Sequence, residues 1–274
     1  MWTFANAPDI APRIEPVAQH DACFLPRSCH VTGDIRIHEV GWADGELWLV
    51  NTRFSCLCTL HADYSFVPRW RPPCITGLSA DDRCHLNGMA IVDDRVKYVT
   101  ALGETDTPGG WRKNKASGGC VVEVPSGEIV VRGLSMPRSP RWHDGRLWLL
   151  ESGRGQLAEA DCTDGRRRIV AELPGFTRGL AMLGPYAFVG LSKIRKTSAM
   201  DGVPLAERRE QLKCGVAAVD LRNGRVVAFL EFQTAVEEIF DVQLLPGLRF
   251  PEVIGFQQEM IQHTFVVPPT SPDR

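Results

Sequence analysis

One short stretch of this chain is dense in reactive groups. Asp82-Arg83-Cys84-His85-Leu86-Asn87 places an acid, a base, a thiol, an imidazole and an amide in sequence, then runs into the apolar segment Met89-Ala90-Ile91-Val92. An imidazole at His85 offers a neutral nitrogen for a general base or a metal near neutral pH. Asp82 can hold its tautomer. If residues alternate on a strand leading out of this stretch, His85 and Asn87 share one face. Cys84 and Leu86 then share the other, which removes the thiol from the chemistry.

Similar polar groups precede other apolar runs: Thr32-Gly33-Asp34 with His38, Met136-Pro137-Arg138-Ser139-Pro140-Arg141, Gly175-Phe176-Thr177-Arg178-Gly179 and Val236-Glu237-Glu238-Ile239-Phe240-Asp241. Guanidinium forks suit carboxylate or phosphate. Catalytic candidates are His85, His38 and Asp82. Candidates for holding a substrate are Asn87, Arg83, Arg112, Arg138, Arg141, Arg178 and Glu238. Candidates for holding a divalent metal ion are His38, His85 and Asp34.

Elements of one kind must position these groups. Asp34 to Val40 alternates, turns at Asp44-Gly45 and continues as Leu47-Trp48-Leu49-Val50. The unit returns at Arg141-Trp142, turn Asp144-Gly145, then Leu147-Trp148-Leu149-Leu150. Asp-Gly between apolar runs is a strong hairpin signal. Weaker copies span 86–100 and 179–190. A second hairpin type follows at 118–131, 155–170 and 214–230, turning at Ser126-Gly127, Asp164-Gly165 and Asn223-Gly224.

An inner and an outer hairpin make one four-stranded blade. The expected fold is therefore an all-β propeller of five to six blades. Inner strands are expected near Asp34, Asn87, Ser139, Arg178 and Phe240, with one helical insertion at 205–212. Residues 1–30 read as an irregular lead-in or partial blade, with one strand near Cys23. The propeller domain is expected over 31–267 and a tail over 268–274. Loops leading into inner strands meet around a propeller axis, so the polar groups should converge.

The wider composition narrows the role. A net charge of −2 argues against a nucleic-acid or membrane-surface partner that depends on bulk charge. No apolar run is long enough to span a membrane, and the first residues lack a signal-peptide pattern. The nine cysteines mostly flank apolar residues, which suits reduced thiols and a cytoplasmic location. No Walker loop, Gly-x-Ser-x-Gly elbow or His-Glu-x-x-His occurs. The loop 103–112 is either a lid that brings Trp111 and Arg112 to the site or a solvated connection. Ser192 and Arg195, in a basic stretch after a strand, are within reach of the axis.

Long motifs carry a family resemblance. They include Thr32-Gly33-Asp34-Ile35, Val50-Asn51-Thr52-Arg53-Phe54-Ser55, Phe66-Val67-Pro68-Arg69-Trp70-Arg71-Pro72, Asp82 to Gly88, Pro174 to Leu180 and Glu238 to Val242. Together they resemble the bacterial DUF4915 family, over most of residues 20–250. The resemblance implies a propeller distantly similar to the gluconolactonase/SMP-30 group. It implies a fold more than an activity. Family members usually carry Met-Pro-His-Ser-Pro-Arg where this chain has Arg138.

Three functions follow from these groups. One is an enzyme using a divalent ion on an anionic, lactone, ester or amide small molecule. Another is a module binding an anionic small molecule or peptide. The third is a scaffold whose polar ring only ties blades together.

Overall fold

A computed structural model describes residues 1–194, 202–255 and 259–267, with the side chain of Met260 excepted. Arg195 and the tail 268–274 lie outside the described residues. The chain divides into two compact units, one of Met1–Thr32 with Leu245–Arg274 and one of Gly33–Leu244.

The first unit holds a three-stranded sheet. Strand β1 (Trp2–Asn6) pairs antiparallel with β2 (Ala22–Cys29). The same β2 pairs in parallel with a short strand near the end of the chain, Pro251–Val253. The lead-in is thus more regular than expected. Its pattern was masked by prolines, one of which, Pro26, sits within β2 beside a register shift.

The second unit contains four antiparallel four-stranded sheets, each running in chain order. The first is β3 (Ile37–Ala43), β4 (Glu46–Asn51), β5 (Cys56–His61) and β6 (Tyr64–Trp70). The second is β7 (Leu86–Val92), β8 (Arg95–Ala101), β9 (Gly119–Glu123) and β10 (Ile129–Leu134). The third is β11 (Pro137–His143), β12 (Arg146–Glu151), β13 (Gln156–Ala160) and β14 (Arg167–Glu172). The fourth is β15 (Phe176–Leu183), β16 (Tyr186–Ser192), β17 (Gly215–Asp220) and β18 (Arg225–Glu231). The strand Pro251–Val253 completes the series as β19.

These are propeller blades built as the repeated hairpins predict, and with the sheet of the first unit they bring the number of sheets to five. The tight turns fall at the expected Asp-Gly pairs, where Asp44, Gly45, Asp144 and Gly145 all have positive φ. The helical insertion is a 3-10 helix, Pro204–Gln211.

Apolar residues on the inner strands and their partners fill the space between blades. Val50, Leu57, Leu86, Met89, Val99 and Val122 form one buried cluster between the first two blades. Leu150, Leu157, Leu180, Val189, Ala217 and Val219 do the same between the last two. Cys84 belongs to the first cluster and is fully buried. That agrees with an inward-packed thiol, and burial pushes its pKa up to about 12.

The expected inner strand at Phe240 is not formed. Residues 232–244 carry no strand. The stretch instead lies along the fourth blade through irregular bonds. Glu237 O accepts from Lys193 N, and Ile239 N donates to Ser192 Oγ at 2.8 Å. Its backbone comes so close to β15 that a Cβ on Gly179 would collide with Val242 N. Pairing as a strand would need a regular ladder, and Ser192 Oγ has taken part of its place.

Candidate functional site

The four inner strands of the second unit repeat one local device. Each has its second residue polar: His38 on β3, Asn87 on β7, Arg138 on β11 and Thr177 on β15. Each strand then breaks register within the next few residues, at Ile37/Val40, Leu86/Gly88, Arg138/Arg141 and Thr177/Leu180. A bulge re-aims the side chains within and beside it, here His38 and Asn87 inside the break and Arg138 and Thr177 at its edge. Three of the four strands are also preceded by a non-glycine residue at positive φ: Arg36 (53°), His85 (51°) and Met136 (50°). Left-handed backbone is uncommon for such residues and marks a kink imposed by the surroundings.

His85 is 7% exposed and Asp82 is 5% exposed. Asp82 Oδ1 accepts from His85 Nδ1 at 2.8 Å. A carboxylate cannot donate, so the proton sits on Nδ1 and Nε2 carries the lone pair. The other Asp82 oxygen lies 3.4 Å from Arg112 Nη2 and 3.6 Å from Arg36 Nη1. Asp82 is therefore a hub that holds one imidazole and two guanidinium groups.

His38 reaches the same state by another route. Its Nδ1 lies 3.0 Å from Arg36 O and 2.8 Å from Thr52 Oγ1. The Thr52 hydroxyl donates to Leu86 O at 2.5 Å. Both neighbours of Nδ1 thus accept, and Nδ1 carries the proton. The lone pair is again on Nε2.

Aromatic stacking connects these groups. The His38 and His85 rings meet edge to face, with centroids 4.9 Å apart. His85 lies 4.3 Å from the Trp111 ring and His38 lies 6.1 Å from Phe240. Arg112 covers Trp111 at 4.4 Å, Arg178 covers Phe240 at 4.0 Å, and Arg138 lies 5.6 Å from Phe176. The order Arg112, Trp111, His85, His38, Phe240, Arg178 is one unbroken series of contacts between planar groups.

Electrostatics in the cluster are positive. Arg138 is 5% exposed, and among the described residues no carboxylate forms an ion pair with it. Its Nε finds no hydrogen-bond partner there. Burial, then the charge of Arg178, pull its pKa down to about 9. Burial, then Arg138, His85 and Arg178, hold His38 down at about 3, against the effect of the Arg36 carbonyl. Burial lowers His85 as well; Asp82 opposes this, while Arg138 and Arg112 add to it. Both imidazoles are neutral at pH 7. Three more buried polar atoms in these residues lack a protein partner: Asn87 Nδ2, Thr177 Oγ1 and Trp111 Nε1.

Of the residues singled out in the sequence, His38, His85, Asp82, Arg112, Arg138 and Arg178 are joined by these contacts and charge effects, and Asn87 is buried two residues after His85. Glu238 is exposed and acts at the rim, where its charge and that of Asp241 favour the charged form of Arg178. Arg83 turns away, pairing with Asp106 at 2.7 Å and Asp81 at 3.2 Å. The left-handed backbone at Asp82 and His85 separates it from the imidazole.

Arg141 is a tie between blades. It pairs with Glu39 and donates from Nε to Leu180 O at 2.8 Å, and Glu39 Oε2 accepts from Met89 N at 3.1 Å. Thus β3, β7, β11 and β15 are joined through one buried pair.

Asp34 is not brought to the histidines. It is 65% exposed and pairs with Arg53 at 3.0 Å. Among the described residues no group of three His, Cys, Asp or Glu is arranged to hold a metal ion. The donor set does not fit a divalent cation, because two neutral nitrogens lie among Arg36, Arg112, Arg138 and Arg178.

The loop 103–118 is anchored rather than free. Its short 3-10 helix, Gly110–Asn114, buries Trp111 among Leu102, Met136, Phe176 and Leu205. Arg36, Thr52, Phe176 and Thr177 were not singled out in the sequence. Aligning the inner hairpins by their turns places Arg178, not Thr177, level with His38, Asn87 and Arg138.

A family model described as "Domain of unknown function (DUF4915)" matches residues 1–254. No curated protein matches. Among solved structures, virginiamycin B lyase from Staphylococcus aureus is similar at TM-score 0.42 and 12% identity, covering 75% of this chain and 58% of that one. Kuenenia stuttgartiensis hydrazine synthase is similar at TM-score 0.43 and 13% identity, covering 75% and 52%. The computationally designed Ika8 protein is similar at TM-score 0.41 and 11% identity, covering 76% and 52%. The chain spans between half and three-fifths of the length of these three. No helix among the described residues is long and apolar enough to cross a membrane.

Proposed function

We propose that this chain, which belongs to the DUF4915 family, binds a small anionic molecule, a carboxylate or phosphate, where its inner strands begin. One observation carries the reading. Arg138 is a buried guanidinium with no carboxylate partner among the described residues and with an unpartnered Nε. Leaving one buried ion uncompensated costs several kcal/mol. An anion at this point would offset that cost and give a partner to Asn87 Nδ2. Arg178, stacked on Phe240, would add a second fork.

The reading favours the binding module over the scaffold, which Arg141 and Glu39 serve by themselves. It also displaces the metal-assisted enzyme, since the charges that attract an anion repel a cation. Thermal unfolding with a panel of small carboxylates and phosphates tests it. At least one should raise Tm in the native protein, and Arg138→Leu should abolish the shift. A panel without effect, or a shift retained in Arg138→Leu, refutes the assignment. Arg83→Leu, outside the cluster, should keep the shift and controls for loss of charge alone.

A further inference from the structure

Two imidazoles with free lone pairs lie within electrostatic reach of Arg138, the guanidinium proposed above to hold an anion. We infer that the site is catalytic, and that His85, positioned by Asp82, takes a proton from carbon in a bound oxo-carboxylate. The inference rests on the anion-binding reading above and goes beyond it to a substrate class and a step.

Simple recognition of an anion does not require what surrounds His85. Recognition needs donors, and a neutral imidazole whose proton is fixed on Nδ1 by Asp82 presents an acceptor instead. The arrangement of carboxylate, Nδ1–H and free Nε2 is that of an oriented base. The backbone at both members is held at positive φ, 50° at Asp82 and 51° at His85. That strain is maintained in a buried place where a relaxed loop would serve binding equally well. His38 repeats the tautomer with a different set of partners, giving a second base whose ring touches the first.

The remaining groups narrow the reaction. The thiol of the stretch, Cys84, is packed in the core. The hydroxyl of Thr52 is committed to Leu86 O, and Ser139 Oγ accepts from Gly179 N. Thr177 Oγ1 has no base in contact with it among the described residues. The cluster therefore supplies bases and cationic stabilisers but no activated nucleophile. Enolisation needs no more than that.

In this step the C–H bond next to the carbonyl breaks and an N–H bond forms at His85 Nε2. The electron pair moves into a new C=C bond, and the carbonyl oxygen takes the negative charge. Arg138 and Arg178 stabilise that oxygen and the carboxylate. Returning a proton from the imidazolium, after its exchange with solvent, to the same carbon restores the oxo-carboxylate and completes the exchange. No oxidant, reductant or co-reactant enters.

The test measures solvent deuterium entering small 2-oxo and 3-oxo carboxylates in D2O by NMR, above the buffer rate, with Tm shifts recorded on the same compounds. His85→Asn suits the left-handed backbone and should keep the Tm shift. It should lose exchange by about 100-fold or more, the usual worth of a general base. Asp82→Asn should lower exchange and keep a free-protein Tm within a few degrees. Carboxylates that stabilise the protein without exchanging, or exchange unchanged in His85→Asn, refute the catalytic step and leave the binding site standing. If no anion shifts Tm, both assignments fall together.

Discussion

Arg138 and His38 occupy the same place on two inner strands, the second residue of β11 and of β3, and each shapes the other's charge state. The guanidinium is the largest influence after burial in keeping the imidazole neutral. In return the imidazole gives the guanidinium no negative charge to rest against. A repeated backbone position has been filled in the different blades with groups that do not neutralise one another. That distinguishes this layer from the layer of Glu39 and Arg141, where opposite charges pair.

The neutral state of His38 makes stability depend on pH in a defined direction. Its pKa is about 3 in the folded chain against 6.5 for an unfolded histidine. Above pH 6.5 neither state binds the proton, and no difference arises. As pH falls below 6.5 the unfolded chain takes up a proton that the folded chain resists, so stability is lost between pH 6.5 and about 3. His85 acts in the same direction. The slope from His38 has an upper bound of about 1.4 kcal/mol per pH unit. Urea unfolding at pH 7 and pH 5 should show a smaller loss in His38→Asn than in the native protein. Equal losses would mean that His38 titrates normally.

The tie between Glu39 and Arg141 should behave as a buried pair. Arg141→Met leaves the Glu39 carboxylate buried without its partner and removes the bond to Leu180 O. Breaking such a pair costs about 3–5 kcal/mol. Pairing it with Glu39→Leu should recover much of the loss, because two apolar groups need no compensation. Denaturant unfolding of the two single variants and the double variant measures this. A double variant no better than Arg141→Met would show that the bonds to Leu180 O and Met89 N matter more than the charges.

The blade hairpins were legible because Asp-Gly turns and alternating apolar residues specify pairing locally. Phe240 misled for the same reason. Glu238-Ile239-Phe240-Asp241 has the alternation of a strand, but Ser192 Oγ bonds both backbone groups of Ile239. Whether a ladder forms depends on its neighbour, which the stretch itself does not encode. His85, Asn87 and Asp82 were legible from their density. Arg83 and Asp34 were not separable from them, since their partners, Asp81 with Asp106 and Arg53, are selected by loop geometry. Charge alone does not reveal which way a side chain turns.

The close approach of residues 241 and 242 to β15 sets up a comparison between two glycines. Gly145 has φ +71° and open space where a Cβ would sit, whereas Gly179 has φ +81° and a Cβ there would collide with Val242 N. Gly145→Ala should cost only the left-handed backbone penalty, roughly 1–2 kcal/mol. Gly179→Ala should cost at least about 2 kcal/mol more, since the backbone at 241–242 must move. It should also disturb the seat of Phe240 under Arg178 and weaken the anion-dependent Tm shift, while Gly145→Ala leaves that shift intact. Equal stability losses would show that the 236–242 segment adapts at little cost.

Arg138 offers the sharpest change of character. A histidine there would hold on β11 the place that His38 holds on β3 and would remove the buried charge that depresses both imidazoles. Three neutral nitrogens among fewer guanidinium groups suit a transition-metal ion far better than two among four. Arg138→His should therefore lose the Tm shift from carboxylates or phosphates and gain one from stoichiometric zinc, cobalt or nickel. The native protein should respond to anions and not to these metals. Arg138→Leu, which removes the charge without adding a ligand, should respond to neither, so that a gain in the histidine variant belongs to the imidazole. If the native protein gains as much from metal as Arg138→His, the positive cluster does not exclude cations. The repulsion assigned to Arg138 would then be wrong.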